Sequence, residues 1–220
     1  MRAVVIGASG GIGAAVVQLM RARGADVTGL SRRDDGLDVT DAPTIAAALA
    51  ALEPGVDLVF VATGALAGAG QRPEKALRSV TLQGLTDQFA LNAAGPLLVL
   101  KHALRLLPRD RASRFAVLSA RVGSIGDNAL GSWYSYRAAK AALNQLIHTA
   151  TIEVARSHPK AVLALLHPGT VDTPFTKDYA PAYDKLTPEA SARALLGVLD
   201  GLTPAQSGGF FDFRGQALRW

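Results

Sequence analysis

Tyr136 and Lys140 stand four residues apart in Tyr136-Arg137-Ala138-Ala139-Lys140, and in a helix that spacing lifts a phenol and an ammonium from one face, a single turn apart. An ammonium beside a phenol favours the phenolate and draws the tyrosine from its usual value of about 10 toward neutrality. A phenol so placed gives and takes a proton near pH 7. The same spacing also describes an ordinary surface pair on an exposed helix, so its meaning depends on what the rest of the chain supplies.

A second segment that could do chemistry is Gly7-Ala8-Ser9-Gly10-Gly11-Ile12-Gly13, which follows an apolar run and opens onto a helical pattern. Glycines let the chain turn sharply and let its amides approach a pyrophosphate, while the helix start adds donors and a favourable dipole. Gly7, Ser9, Gly10, Gly11, Ile12 and Gly13 are therefore expected to cradle a dinucleotide. The next strand ends in Leu30-Ser31-Arg32-Arg33, with no acid where an NAD site places one for the ribose 2′-hydroxyl. Arg32 offers a forked donor set for a 2′-phosphate, Ser31 adds a hydroxyl and Arg33 a second guanidinium. NADP(H) is the preferred cofactor, with NAD(H) the second choice.

Short β-type runs alternate with helical patterns from end to end, the signature of right-handed βαβ units and a parallel sheet covered on both faces. Strands are expected at Arg2–Ile6, Asp26–Leu30, Leu58–Ala62, Arg114–Ser119, Ala161–Leu166 and Gly209–Asp212, and helices at Ile12–Arg23, Thr44–Leu52, Leu82–Leu107, Ser132–Ser157 and Pro188–Leu199. Residues 173–186, with Pro174, Tyr179, Pro181 and Tyr183, read as a mobile loop.

The 220 residues and 49% hydrophobic content fit one domain, 1–220, with a single large core. The net charge of +5 is spread without a basic stripe, which argues against nucleic acid and suits a phosphate-bearing cofactor. There is no cysteine, and His102, His148, His158 and His167 lack metal-ligand spacing, so no metal site is expected. No apolar stretch reaches the ~20 residues needed to cross a bilayer, and the N-terminus does not read as a signal peptide, so the expectation is a cytoplasmic protein with no membrane partner.

Together these residues resemble the short-chain dehydrogenase/reductase family, whose pattern joins a Gly-x-x-x-Gly-x-Gly turn to a later Tyr-x-x-x-Lys pair. The likeness covers essentially the whole chain and implies a single Rossmann-type doubly wound α/β domain of about seven strands with helices on both faces. Asp38-Val39 is similar to the family's contact to adenine, and Asn92 to its mid-helix catalytic asparagine. Pro168-Gly169-Thr170-Val171-Asp172-Thr173 is similar to the segment holding the nicotinamide carboxamide, which implies Pro168, Gly169, Val171 and Thr173 as cofactor contacts. Residues 122–128 and the ending at Trp220 resemble the C-factor-like and sniffer-type carbonyl reductase branch.

The resemblance implies hydride transfer between the nicotinamide and a small carbonyl or alcohol. Tyr136 is then the acid/base, Lys140 lowers its pKa and holds the ribose, and Asn92 anchors a water. It also implies a homodimer or homotetramer, built on the helices at 82–107 and 132–157. Two departures qualify it. After its fourth strand the family has Asn-Asn-Ala-Gly and this chain has Val61-Ala62-Thr63-Gly64 at that place, leaving Ala62, Thr63 and Gly64 to meet the cofactor through backbone. Where the family has its catalytic serine the chain has Ala120, in Ser119-Ala120-Arg121-Val122-Gly123. Ser124 and Ser119 are the two substitutes, with Ser124 slightly preferred as a loop residue. Arg137, one position past Tyr136, reads as a solvated or interface charge, and Trp133, Tyr134 and Phe175 as possible pocket walls. The competing reading is a weakly active or inactive dinucleotide-binding protein that signals through a partner, as Ala120 and the C-factor likeness allow.

Overall fold

A computed structural model describes residues 1–67, 72–176 and 184–220. Six parallel strands form one sheet: β1 (Arg2–Ile6), β2 (Asp26–Leu30), β3 (Leu58–Val61), β4 (Ser113–Leu118), β5 (Ala161–His167) and β6 (Gly209–Asp212). Their spatial order is β2-β1-β3-β4-β5-β6. All six expected strands are present within a residue of their expected ends, one short of the family's seven among the described residues. The chain runs outward from β1 to β2, then returns to the other side of β1 with β3. That reversal opens a crevice at the carboxyl ends of β1 and β3, the usual ligand position in such sheets.

The central strands are largely apolar because both faces are covered, while the edge strand β2 carries Asp26 and Thr28; the side-chain period of two divides the apolar residues between two cores. Val4, Ile6, Val59, Val61, Phe115, Val117, Leu163 and Leu165 face one side. There they meet α3 (Ala42–Ala50), α5 (Gly95–Ala103) and α6 (Tyr134–Ser157). Val5, Leu58, Phe60, Ala116, Leu118, Ala164 and Leu166 face the other, against α1 (Gly11–Ala22) and α7 (Pro188–Gly201). A four-residue helix, α2 (Arg32–Asp35), follows β2.

The expected helix over 82–107 is not continuous. It divides into α4 (Leu82–Phe89), a π-helical turn at Ala90–Ala94 and α5. Pro96 has no amide to donate to the carbonyl four residues back, that of Asn92, so the ladder slips there. Gly95 permits the accompanying close approach, since a Cβ on it would lie 2.5 Å from the Val39 carbonyl oxygen. The turn aims Asn92 inward, with none of its surface exposed.

Of the loop expected at 173–186, Tyr179, Pro181 and Tyr183 lie outside the described residues. Among the described residues no helix is long and apolar enough to cross a membrane.

Candidate active site

A cavity of about 450 Å³ opens where the loops after β1, β3, β4 and β5 meet. Its walls include Ser9, Gly10, Gly11 and Ile12 from the glycine turn, and Ala62, Thr63 and Gly64 from the end of β3. Tyr136 and Lys140 come from α6, and Pro168, Gly169, Val171 and Thr173 from the segment after β5. Residues drawn from four distant stretches of the chain thus line one space.

Gly7 turns with φ +85° and a Cβ on Gly13 would sit 2.2 Å from the Gly7 carbonyl oxygen, so α1 packs this close to β1 only as glycine. α1 begins at an N-cap glycine that provides no side-chain acceptor, leaving its first amides directed at the crevice. A second cavity of about 330 Å³ shares Ser9 with the first and runs past Gly29, Ser31 and Arg33. The two cavities meet at Ser9, so the glycine turn has one on either side. Arg32 lines neither. Ser31 is the N-cap of α2 and accepts from the Asp34 amide at 3.0 Å. Consecutive helix positions diverge by roughly 100°, so Arg33 turns to the second cavity while Arg32 lies 80% exposed, 3.6 Å from Asp38. Val39 is a core residue, 4% exposed.

Tyr136 is 5% exposed and is met edge-on by Trp133 and Phe175, at ring separations of 6.4 and 6.1 Å. Lys140 is 3% exposed, donates from Nζ to the Leu118 carbonyl at 2.9 Å, and lies 5.8 Å from the Tyr136 ring centre. Burial disfavours charge on both. It raises the Tyr136 phenol above the ordinary tyrosine value and pushes Lys140 down to about 7. The expected pull of Lys140 on the phenol is therefore outweighed by desolvation in the protein alone.

Asn92 donates from Nδ2 to the Ala65 carbonyl and to Gln88 Oε1, while its Oδ1 has no partner. A Cβ on Gly64 would lie 2.8 Å from that oxygen and 3.6 Å from Lys140 Nζ, so the amide and the ammonium border the same small space. Thr63 Oγ1 and His167 Nδ1 on the cavity wall are also buried without partners. Burial pushes His167 down to about 4, so it is a neutral ring at pH 7. Two unpaired polar atoms on the cavity wall and a third behind Gly64 are what a polar ligand site leaves in the protein by itself.

The two candidate serines separate. Ser119 lines the cavity and donates to Asn144 Oδ1 at 2.6 Å. Ser124 is 1% exposed, accepts from the Asp127 amide at 3.2 Å and is not on the cavity wall. The preference for Ser124 therefore has no support in the geometry, because it is used to close its own turn. Ala120 does line the cavity.

Residues 7–208 match a family model described as enoyl-(acyl carrier protein) reductase. The chain belongs to the short-chain dehydrogenase/reductase family. A family member from Rhodococcus sp. (strain AD45), 1-hydroxy-2-glutathionyl-2-methyl-3-butene dehydrogenase, is 30% identical over 99% of this chain and 98% of its own. C-signal of Myxococcus xanthus is 37% identical over 66% of this chain and 84% of its own, in keeping with the C-factor-like resemblance. Among solved structures, NADPH-bound carbonyl reductase from chicken fatty liver superposes with TM-score 0.82 and 25% identity, covering 100% of this chain and 98% of that one. By family, then, the chain is an oxidoreductase acting on small molecules.

Within this family frame the structure adds groups that no local motif announces. Arg137 is not a solvated charge. It donates to the carbonyls of Gly131, Ser132 and Val122 at 2.9–3.3 Å, and partial burial lowers its pKa. Those bonds hold Ser132 and Trp133, two successive residues with φ 55° and 54°, in left-handed backbone directly before α6. Glu74 secures the same helix end from 61 residues away. Its carbonyl accepts from the Trp133 amide at 2.6 Å and its carboxylate from the Ser135 amide at 3.3 Å and the Ser135 hydroxyl. A carboxylate here both caps the first turn and meets the positive end of the helix dipole. Glu74→Ala should therefore lower the melting temperature by roughly 2–4 °C, the equivalent of about 1 kcal/mol in a chain of this size. Unchanged melting would show that the clamp carries no energy. Trp133 and Phe175 line the cavity as expected, whereas Tyr134 does not.

Proposed function

We propose that this chain is an NADP(H)-dependent oxidoreductase that moves hydride between the nicotinamide and a small carbonyl or alcohol substrate. The observation that carries the reading is a buried phenol and a buried ammonium in one cavity, beside the unpaired Asn92 oxygen and in line with an uncapped helix start. When bound, the nicotinamide supplies or accepts the hydride. The first amides of α1 hold the pyrophosphate. Ala62–Gly64 and Pro168–Thr173 flank the nicotinamide end, while Ser31, Arg33 and Arg32 with Asp38 serve the adenosine end and its 2′-phosphate.

Tyr136 acts as the acid in reduction, because burial keeps its proton in place at pH 7 until a carbonyl oxygen develops charge beside it. Lys140 presents its amino group to the ribose hydroxyls and to the proton route. Asn92 Oδ1 has the open acceptor position that a water on that route would fill. Of the two serines, Ser119 is assigned the second polar contact to substrate. Asn144 Nδ2 is buried without a partner, and turning that amide over would let it donate to Ser119 Oγ and free the serine hydrogen for the cavity.

The test is purified protein with NADPH and a panel of aldehydes, ketones and quinones, together with the dissociation constants of NADPH and NADH. Turnover with tighter NADPH binding is expected. Tight NADPH binding without turnover on any of the panel would support the alternative, a dinucleotide-binding protein that acts through a partner, which the likeness to C-signal favours.

A further inference from the structure

Beyond the groups assigned to hydride and proton transfer, the cavity holds one further charged side chain. Arg121 follows Ala120 at the end of β4, lines the cavity, and has a side chain 51% exposed. Among the described residues its one side-chain partner is Asp212 at the end of β6, at 3.5 Å through a single nitrogen. Asp212 is 4% exposed at its side chain, does not line the cavity, and its other oxygen already accepts the amides of Arg214 and Gln216 at 2.9 and 3.0 Å. The carboxylate thus orients the guanidinium without consuming its donor set, of which four N–H groups remain. Among the described residues, no Asp or Glu lines the cavity, and its only charged side chains are Arg121 and Lys140. The same cavity has an apolar lining that includes Leu66, Val122, Trp133 and Phe175.

We infer that Arg121 selects the substrate: the carbonyl or alcohol that this site accepts bears an anionic group, a carboxylate or phosphate, at the end of the molecule away from the reacting carbon. This rests on the oxidoreductase reading above and adds the substrate class to it. Arg121 leans toward β5 and β6, since its partner is on β6. The glycine turn lies after β1, two strands from β4 on the other side, about 10 Å at the usual strand spacing. The anion it meets is accordingly the substrate's and not the pyrophosphate of the dinucleotide. A planar fork suits a carboxylate or phosphate in two-point contact, and the apolar walls position the body between the two ends.

The test compares para-carboxybenzaldehyde with its methyl ester, using NADPH and wild-type, Arg121→Met and Arg121→Lys protein. Wild type should favour the carboxylate in kcat/KM by about tenfold or more. Arg121→Met should bring the ratio to about one, while Arg121→Lys, which keeps the charge, retains part of the preference and guards against a folding artefact. A wild-type ratio near one, or a preference that persists in Arg121→Met, overturns the inference. So does a loss of NADPH affinity in Arg121→Met larger than the loss of carboxylate preference, because the guanidinium then serves the cofactor. If neither aldehyde is turned over, the oxidoreductase reading rests on the wider panel above, and the anion site is judged on binding alone. Benzoate held more tightly than benzamide by wild type but not by Arg121→Met upholds it; equal affinities overturn it.

Discussion

Tyr136→Phe should lower kcat/KM for carbonyl reduction by roughly a thousandfold, within the range that a positioned acid contributes. The substitution deletes one oxygen and leaves the ring between Trp133 and Phe175, so packing is preserved and the loss reports chemistry. Because burial holds the phenol protonated well beyond neutrality, the wild-type rate of reduction should show no fall attributable to Tyr136 between pH 6 and 8. Retention of more than about a tenth of wild-type activity by the phenylalanine variant would move the proton donor elsewhere. His167 would then be the group to examine, as a neutral ring on the same wall.

The second large effect is on stability. Lys140 is pushed from 10.5 to about 7 by burial, so an ammonium that costs nothing in the unfolded chain is expensive in the folded one. The unfolded state binds more protons between those values, and stability rises with pH across that window. The difference from 10.5 to about 7, at about 1.4 kcal/mol per pH unit, places the penalty at pH 6 on the order of 5 kcal/mol. Roughly half of it is gone by pH 9. Lys140→Met removes the charge and keeps most of the volume, at the loss of the bond to the Leu118 carbonyl, about 1 kcal/mol. The methionine variant should therefore melt roughly 10 °C above wild type at pH 6, with the gap narrowing steadily toward pH 9. Above pH 10 the raised Tyr136 works in the opposite sense, so the comparison belongs below it. A gap that does not change with pH would mean that Lys140 carries no burial penalty. The protein gives up this stability at the position where the proposed chemistry uses an amine near neutrality.

Most strands were legible because they are near-continuous apolar runs, as in Leu58–Val61 and Ala161–His167, which a sheet covered on both faces requires, and β2 because it falls between two helical patterns. The break in the helix over 82–107 was also written in the chain, in Gly95-Pro96, but the helical spacing of apolar residues continues on both sides of it. Tyr136, Lys140, the glycine turn and the 168–173 segment were legible because spacing along the chain is itself the geometry. Glu74 and Asn144 were not, since what gives each its role is a partner 61 and 25 residues away. Arg32 and Arg33 were indistinguishable in sequence because the choice between them depends on which residue starts α2. Ser124 against Ser119 turned likewise on a tight turn whose closure claims one of the two hydroxyls.

Lys140 is held by the carbonyl of Leu118, whose side chain packs on the opposite side of the sheet with α1 and α7. A peptide oxygen cannot be deleted by any codon change, so this anchor is hereditary in a way that no side-chain partner is. Variation can reach it only indirectly, by tilting the end of β4 through substitutions in the far layer. Drift among residues such as Ala192 and Leu195, which do not line the cavity, would then be recorded as a change in the basicity of one amine.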